Sequence, residues 1–552
     1  MYNLFFVTLI LTMCGILGVL FNNRKNVLQR SAQITNAMEV LKPRGPDESH
    51  VMNFDHVAIG HTRLSIVNPK SGPQPFVGEK WIVAINGEIY NHRLISECEK
   101  SDCDCVLNML EKDCNPVEFL PRLQGMFSII AFNIETDEMI VVRDHVGITP
   151  LYVAEVDGDV WVSSMMRAFP KNAKPRIVQP GTIETFKHGA PQMQWKTEYW
   201  YRPFAVESVP MTYSKRSYYR MLQAAVGVRV TQGDVPWGVL LSGGLDSSIV
   251  AALASKIRNL NYPVVHSFCI GLEGSPDLAN AEMVAKHLGT THHSIVYRIE
   301  DGLHHLEDVI RDLETFDVTT IRAGTPMWIL GKYLKKFGIK YVLSGEGSDE
   351  SWGGYLYFWK CPTPEAMSEE CVRKVNRLHG FDCLRANKAL AAHGIECRVP
   401  FLDQEVLRFT MEKVHPIHKM SKTHPDGSRI EKYDLRNMFQ FDLPEETVIR
   451  TKAQFSDAVG SEWIDALKNL AKIRVSDELM TKAPGYIRTK EAYLYWSVFK
   501  EIFGGLDSPE NAVLIEEQTI ACSTAEAMKW HANFAGFADP SGDSVKFALR
   551  LD

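Results

Sequence analysis

The sequence has no surplus of basic residues. Its 60 Lys and Arg stand against 67 Asp and Glu, a net charge of −7, so it carries no positive footprint for a polynucleotide. Cysteine is sparse and irregular, 11 in 552 residues, unlike the dense frameworks that staple small secreted domains. A reducing cytosol is the expected compartment. No GxxxxGKS or GxxxxGKT stretch occurs, which excludes the ordinary P-loop. Internal repeats and low-complexity tracts are absent too, excluding a solenoid or a disordered linker chain. What is present is ordinary: 45% apolar and 23% charged residues, enough for real cores over a length that suggests two to four domains.

One stretch lacks charge altogether. Met1–Asn23 has no charged residue, and Leu4–Leu20 is almost entirely apolar. It has neither the basic start nor the small-residue cleavage site of a signal peptide. Read as a membrane span, it would leave the chain's bulk on the cytoplasmic side through Arg24 and Lys25. The alternative divides the run. Cys14–Leu20 becomes a buried strand with β-branched Ile16 and Val19, and residues 1–13 an extension ahead of a working start at Met13.

Two textures follow. Up to about residue 200, short strands are expected at Val57–Ile59, Trp81–Ile85, Phe127–Phe132, Met139–Arg143 and Val160–Val162, broken by turn clusters. One helix, Asp104–Glu111, interrupts them. After a linker near Pro203–Thr212, strands and helices alternate: Trp237–Leu241 then Ser247–Ile257, Val264–Ile270 then Leu278–His287, and Tyr341–Leu343 after a helix through Met327–Lys336. That pattern predicts a parallel sheet with crossover helices. Beyond about residue 360 the chain reads as mostly helical.

The sharpest chemical signal is Ser242-Gly243-Gly244-Leu245-Asp246-Ser247-Ser248, between a strand and a helix. Small residues there let backbone N–H groups reach an anion at a helix N-terminus, a phosphate cradle. Downstream, Ser344-Gly345-Glu346-Gly347-Ser348-Asp349-Glu350 puts three acidic residues on a glycine-rich loop, suited to Mg²⁺ and a general base. The first loop resembles the pyrophosphate loop of N-type ATP pyrophosphatases, and the second resembles a further loop of that family.

Near the start, Cys14-Gly15-Ile16 resembles the opening of class II glutamine amidotransferases, whose N-terminal cysteine is the nucleophile and whose α-amine is the base. An α-amine titrates near pH ~8, close to a thiol. Arg44-Gly45-Pro46-Asp47, His61–Ile66, Asn86–Asn91 and Ser101-Asp102-Cys103 match the same family in the same order. A zinc site at Cys98, Cys103, Cys105 and Cys114 fits no standard ligand spacing. The pairs His292-His293 and His304-His305 read as surface or strand-edge residues.

Both halves together resemble the glutamine-dependent asparagine synthetases, from Cys14 to about Arg550. Enzymes that close β-lactam rings share the ATP loops but lack the N-terminal cysteine. The resemblance implies a mixed α/β and α+β chain. Residues 14–200 would be an N-terminal-nucleophile αββα sandwich. Residues 213–552 would be a doubly wound parallel α/β ATP pyrophosphatase domain with a helical C-terminal part.

It also implies roles. Cys14 is the nucleophile, and Asn86 and Gly87 form the oxyanion hole. Arg63 holds the glutamine carboxylate, Glu88 and Asp102 its ammonium, and Leu64, Ser65, Ile66 and Val67 complete that site. Leu240 and Ile270 frame adenine; Ser242, Gly243, Gly244, Ser247, Ser248, Ser344 and Gly345 hold ATP; Asp246 and Asp349 hold Mg²⁺. Glu346 is the general base. Thr319, Thr320, Arg322 and Lys452 meet pyrophosphate or aspartate. The small-molecule partners are aspartate, glutamine and ATP, without nucleic acid or membrane, and a homodimer is allowed. The chain departs from the family at Met165, Ala453, Ala458, Asp434 and Trp352. An ammonia-only or anchored form, or a non-catalytic relative, is the other class left open.

Overall fold

The computed structural model describes residues 14–22, 26–70, 72–96, 101–188, 195–206, 209–257, 259–423, 429–451, 460–506, 513–515, 519, 522–534, 539–541 and 545–546. Residues 1–13, Cys98, Lys452, Ala453, Ala458 and many positions after 506 lie outside them.

The first half is two antiparallel six-stranded sheets face to face. Strand Gly15–Leu20 is central in one, between Val57–Arg63 and Asp159–Ser163. Its alternate residues explain the apolar run. Ile16 and Leu20 point between the sheets with Ile82, Ile130 and Val141. Leu17 and Val19 point outward onto Ile34, Ala37, Met38 and Leu41. A strand buried on both faces has no polar side, so this part of the run is sandwich interior. No helix among the described residues is long and apolar enough to cross a membrane.

The outer residues belong to helix Asn26–Leu41, where the sequence reading allowed only Asp104–Glu111 in this half. Its apolar positions 34, 37, 38 and 41 do recur at helical spacing. Helix Asp104–Glu111 covers the other sheet through Val106, Met109 and Leu110. The layers are therefore helix, sheet, sheet, helix.

Described residues between 200 and 214 form neither strand nor helix. Beyond them helix Lys215–Thr231 opens the second half, built on a five-stranded sheet. Its strand order is Thr291–Val296, His266–Gly271, Trp237–Leu240, Tyr341–Leu343, Glu396–Arg398, all parallel. His292 and His293 lie on its edge strand. Helices Leu245–Ser255, Pro276–Leu288 and Val318–Lys336 cross between strands. The region after residue 360 is mostly helical, but Glu396–Arg398 is the fifth strand, and Lys422–Thr423 pairs with Arg429–Ile430 as a short separate ladder. The three residues of Glu396–Arg398, two of them charged, carry no strand signal of their own, and pairing to Tyr341–Leu343 decides their state.

Candidate active sites

Strand register assembles the first site. Gly15 pairs with Thr62, so Cys14, one residue earlier, lies beside Arg63 and Leu64. The Leu64 N–H donates to Cys14 Sγ at 3.3 Å, and Arg44 Nε donates to the Cys14 carbonyl at 3.1 Å. Burial pushes the Cys14 thiol up to about 12, because a thiolate there loses its hydration. At neutral pH the group is a thiol and needs a base.

Asn86, Gly87 and Glu88 enter from strand Trp81–Ile89. Both polar atoms of the Asn86 side chain are buried without a partner among the described residues. Such groups are costly to bury, and both atoms are open to a ligand's hydrogen bonds. Gly87 has φ +138°, and a Cβ there would stand 1.9 Å from the Met126 carbonyl oxygen. Only glycine fits. Glu88 is buried with Oε2 unpartnered, and Asp102 accepts the Ile89 N–H at 2.8 Å. Burial, then the Asp102 charge, raises Glu88 well above the usual carboxylate range, and burial raises Asp102. A cation between them would relieve both.

Arg63 is close enough to lower the thiol's pKa, but its guanidinium pairs with Glu48 at 3.3 Å. A substrate carboxylate would have to draw it away. The Ser65 N–H donates to Asp47 at 2.9 Å. Leu64, Ile66 and Val67 turn their side chains into a core shared with the second half, so only their backbone is available to a ligand.

The second site is a cleft at the C-terminal ends of the parallel strands. Strand order changes direction between Trp237–Leu240 and Tyr341–Leu343, the switch point where open α/β sheets take ligands. Both glycine loops leave these two strands. A Cβ on Gly345 would stand 2.9 Å from the Asp246 backbone carbon, so the loops touch and Gly345 must stay small. Helix Leu245–Ser255 starts without a side-chain cap, leaving its first N–H groups for an anion. The cleft spans about 1480 Å³ with its open mouth included.

Leu240, Ser242, Gly244, Asp246, Ser247, Ile270, Thr319, Thr320, Ser344, Gly345, Glu346 and Asp349 all line that cleft. Gly243 and Ser248 do not; both are buried behind the loop. Arg322 is the clear misplacement. It is buried and clamped by Glu491, at 2.8 and 2.7 Å, and by Asp539 at 3.1 Å, because it lies on the helix face turned to the C-terminal segment. Thr319 and Thr320, three and two positions earlier, face the cleft.

The cleft also contains residues that sequence reasoning missed. Lys432 Nζ lies 2.7 and 2.8 Å from the Asp246 oxygens and 2.5 Å from Asp349. Two carboxylates from separate loops thus converge on one positive charge. Mg²⁺ is commonly held by one or two carboxylates plus phosphates, so these residues fit such an ion. Among the described residues no cluster of three or more His, Cys, Asp or Glu could hold a metal alone. Arg385 NH2 lies 2.9 Å from both Glu346 oxygens and also pairs with Asp382. Burial, then the Asp382 charge, raises Glu350 well above the carboxylate range, and the Tyr355 hydroxyl donates to it. Asp382 and Arg385 sit i, i+3 on one helix, which also carries Asn387 and Lys388, a signal that could have been read. Lys432 offered none.

Of the departures, Met165 lies buried against Arg44 NH1 at 3.8 Å. Asp434 is buried and satisfied by Lys215 at 3.2 Å, His418 at 2.9 Å and Tyr213 at 3.2 Å. Trp352 is wholly buried and donates to the Tyr218 hydroxyl at 2.9 Å.

Residues 13–199 match the glutamine amidotransferase domain model, and residues 217–363 and 359–532 match the asparagine synthase model. Asparagine synthetase (glutamine-hydrolyzing) 2 of Arabidopsis thaliana is 42% identical over 557 residues, covering 96% of this chain and 94% of that protein. The asparagine synthetase (glutamine-hydrolyzing) of Brassica oleracea is 41% identical over 560 residues, covering 96% and 93%. That of Asparagus officinalis is 41% identical over 560 residues, covering 96% and 92%. With both sites in place and likeness over nearly its whole length, the chain belongs to the glutamine-hydrolysing asparagine synthetase family.

Proposed function

We propose that this chain makes L-asparagine from L-aspartate, ATP and the amide nitrogen of glutamine, releasing AMP, pyrophosphate and glutamate. The observation that carries this reading is the presence of two complementary sites in one chain, the Cys14 pocket and the paired glycine loops.

In the first site the Cys14 sulfur attacks the glutamine amide carbon. Asn86 Nδ2 and the Gly87 N–H stabilise the oxyanion. Ammonia leaves as the tetrahedral adduct collapses to a thioester, and water then releases glutamate. Glu88 and Asp102 hold the α-ammonium, and Arg63 the α-carboxylate.

In the cleft the aspartate β-carboxylate attacks the α-phosphorus of ATP, and the bond to pyrophosphate breaks, leaving β-aspartyl-AMP. Backbone N–H groups of the Ser242–Asp246 loop bind phosphate, with Thr319 and Thr320 beside them; Lys452 belongs to this set but lies outside the described residues. Mg²⁺, held by Asp246 and Asp349, would supply charge neutralisation on the departing group. Ammonia then adds to the acyl carbon, Glu346 takes a proton from the adduct, and AMP leaves. Glu346 can accept that proton only when its pairing with Arg385 loosens. A cytosolic location is part of the proposal, in keeping with cysteines that are few and irregularly spaced.

The test is purified protein with aspartate, ATP, Mg²⁺ and amide-15N glutamine. Labelled asparagine should form with AMP and pyrophosphate in equal amounts. ADP as product, or no asparagine even with ammonium, sinks the reading. Asn86→Ala should slow glutamine hydrolysis about 10²–10³-fold, roughly 2.7–4 kcal/mol of oxyanion stabilisation. Ammonium-dependent synthesis measured on the same sample should hold.

A further inference from the structure

We propose that Arg398, from the second half of the chain, is a positioning residue for glutamine in the first site. It fixes Glu88 so that one carboxylate oxygen remains for the substrate's α-ammonium. This rests on the reading of Glu88 as the ammonium's partner.

The fifth strand, Glu396–Arg398, lies between the two sites, and its side chains alternate. Glu396 and Arg398 turn toward the glutamine pocket. The Arg398 guanidinium is fully buried: Nε donates to Glu396 Oε1 at 2.7 Å, and NH2 lies 3.2 Å from Glu88 Oε1 as an ion pair without hydrogen-bond geometry. NH1 donates to the carbonyls of Arg229 and Gln232 at 2.9 and 2.6 Å. The Tyr341 ring stacks beneath at 4.0 Å. Glu88 Oε2, in contrast, has no hydrogen-bond partner among the described residues.

Charge explains what this achieves. Glu88 faces Asp102, Cys14 and Cys103 from its own half and Glu396, Arg398 and Tyr341 from the other, with Tyr90 alongside. Arg398 is the cation in that set, against three carboxylates. One guanidinium offsets burial and the neighbouring carboxylates only in part, so Glu88 stays high and the pocket still favours an incoming ammonium. Without it Glu88 would hold its proton to higher pH still and bind the ammonium less well.

The test follows kcat/KM and KM for glutamine between pH 6 and 9 in the full-length enzyme. The variants are Arg398→Met, Arg398→Lys, Glu396→Gln and Glu88→Gln. Arg398→Met should raise KM for glutamine at least tenfold at pH 7. It should also move the acid limb of kcat/KM up by a pH unit or more, so that activity returns as pH rises. Arg398→Lys, keeping the charge, should restore most of the limb. Glu396→Gln should move the limb the other way, and it decides the matter if Arg398→Met does not fold. A limb unmoved in both overturns the proposal, as does a glutamine KM within threefold of wild type in Arg398→Met. If Glu88→Gln itself leaves KM unchanged, the reading of Glu88 fails instead.

Discussion

Asp246→Asn is expected to lower AMP formation about 100-fold or more, while glutamine hydrolysis continues. Asp246 opens helix Leu245–Ser255 and converges with Asp349 on the Lys432 ammonium. Removing its charge halves the anionic field that would hold Mg²⁺ against the phosphates, an interaction of several kcal/mol. The Cys14 pocket is built on other strands and does not contact it. Asp246 also accepts the Ser348 hydroxyl at 2.7 Å, which an Asn oxygen can still do, so the loops should stay joined. Pyrophosphate release and glutaminase activity, read on one preparation, decide the point. AMP formation within tenfold of wild type, about 1.4 kcal/mol or less, would remove Asp246 from the metal site.

The second large effect is expected at Cys14. A chain beginning at Cys14 should hydrolyse glutamine about 10²- to 10⁴-fold faster than one still carrying residues 1–13, the usual contribution of a positioned base. The thiol, raised to about 12 by burial, is protonated throughout the neutral range. A raised thiol pKa disfavours the thiolate below that value, so activity depends on a neighbour that accepts the proton. A freed α-amine, titrating near ~8, can do so; an amide nitrogen cannot. The rate should therefore rise with pH toward about 8 and then level. Placing a protease site before Cys14 gives both forms from one preparation, and ammonium-dependent synthesis is the internal control. Equal glutaminase rates before and after cleavage would show that the base lies elsewhere.

Much of the first site could be read along the chain, because its parts are short contiguous turns. RGPD, HTRLSI and NGEIYN each carry the residues and the local backbone they need. Asn86 and Gly87 are adjacent, and the +138° φ at Gly87 is a demand glycine itself announces. Helix Asn26–Leu41 was missed although its apolar spacing was there, since the surrounding strands and turns dominated the pattern. Arg322 was misplaced for a different reason. Thr319, Thr320 and Arg322 share one turn, but a helix sends near neighbours to different faces, and what covers each face depends on the packing.

By itself the sequence determined the two glycine loops, the order of the amidotransferase turns, the parallel second half and the family. Strand–loop–helix chemistry lies in consecutive residues, so it survives without coordinates. Only the tertiary structure decided which charges meet. Lys432 reaches Asp246 across 186 positions, Arg385 reaches Glu346 across 39, and Arg398 crosses from one half to Glu88 in the other. Ion pairing falls off over a few ångströms in space, and sheet order, not distance along the chain, sets that spacing. The strand Glu396–Arg398 shows this most plainly: nothing in Glu-Cys-Arg marks a strand, and its place beside Tyr341–Leu343 puts its charges at the glutamine pocket.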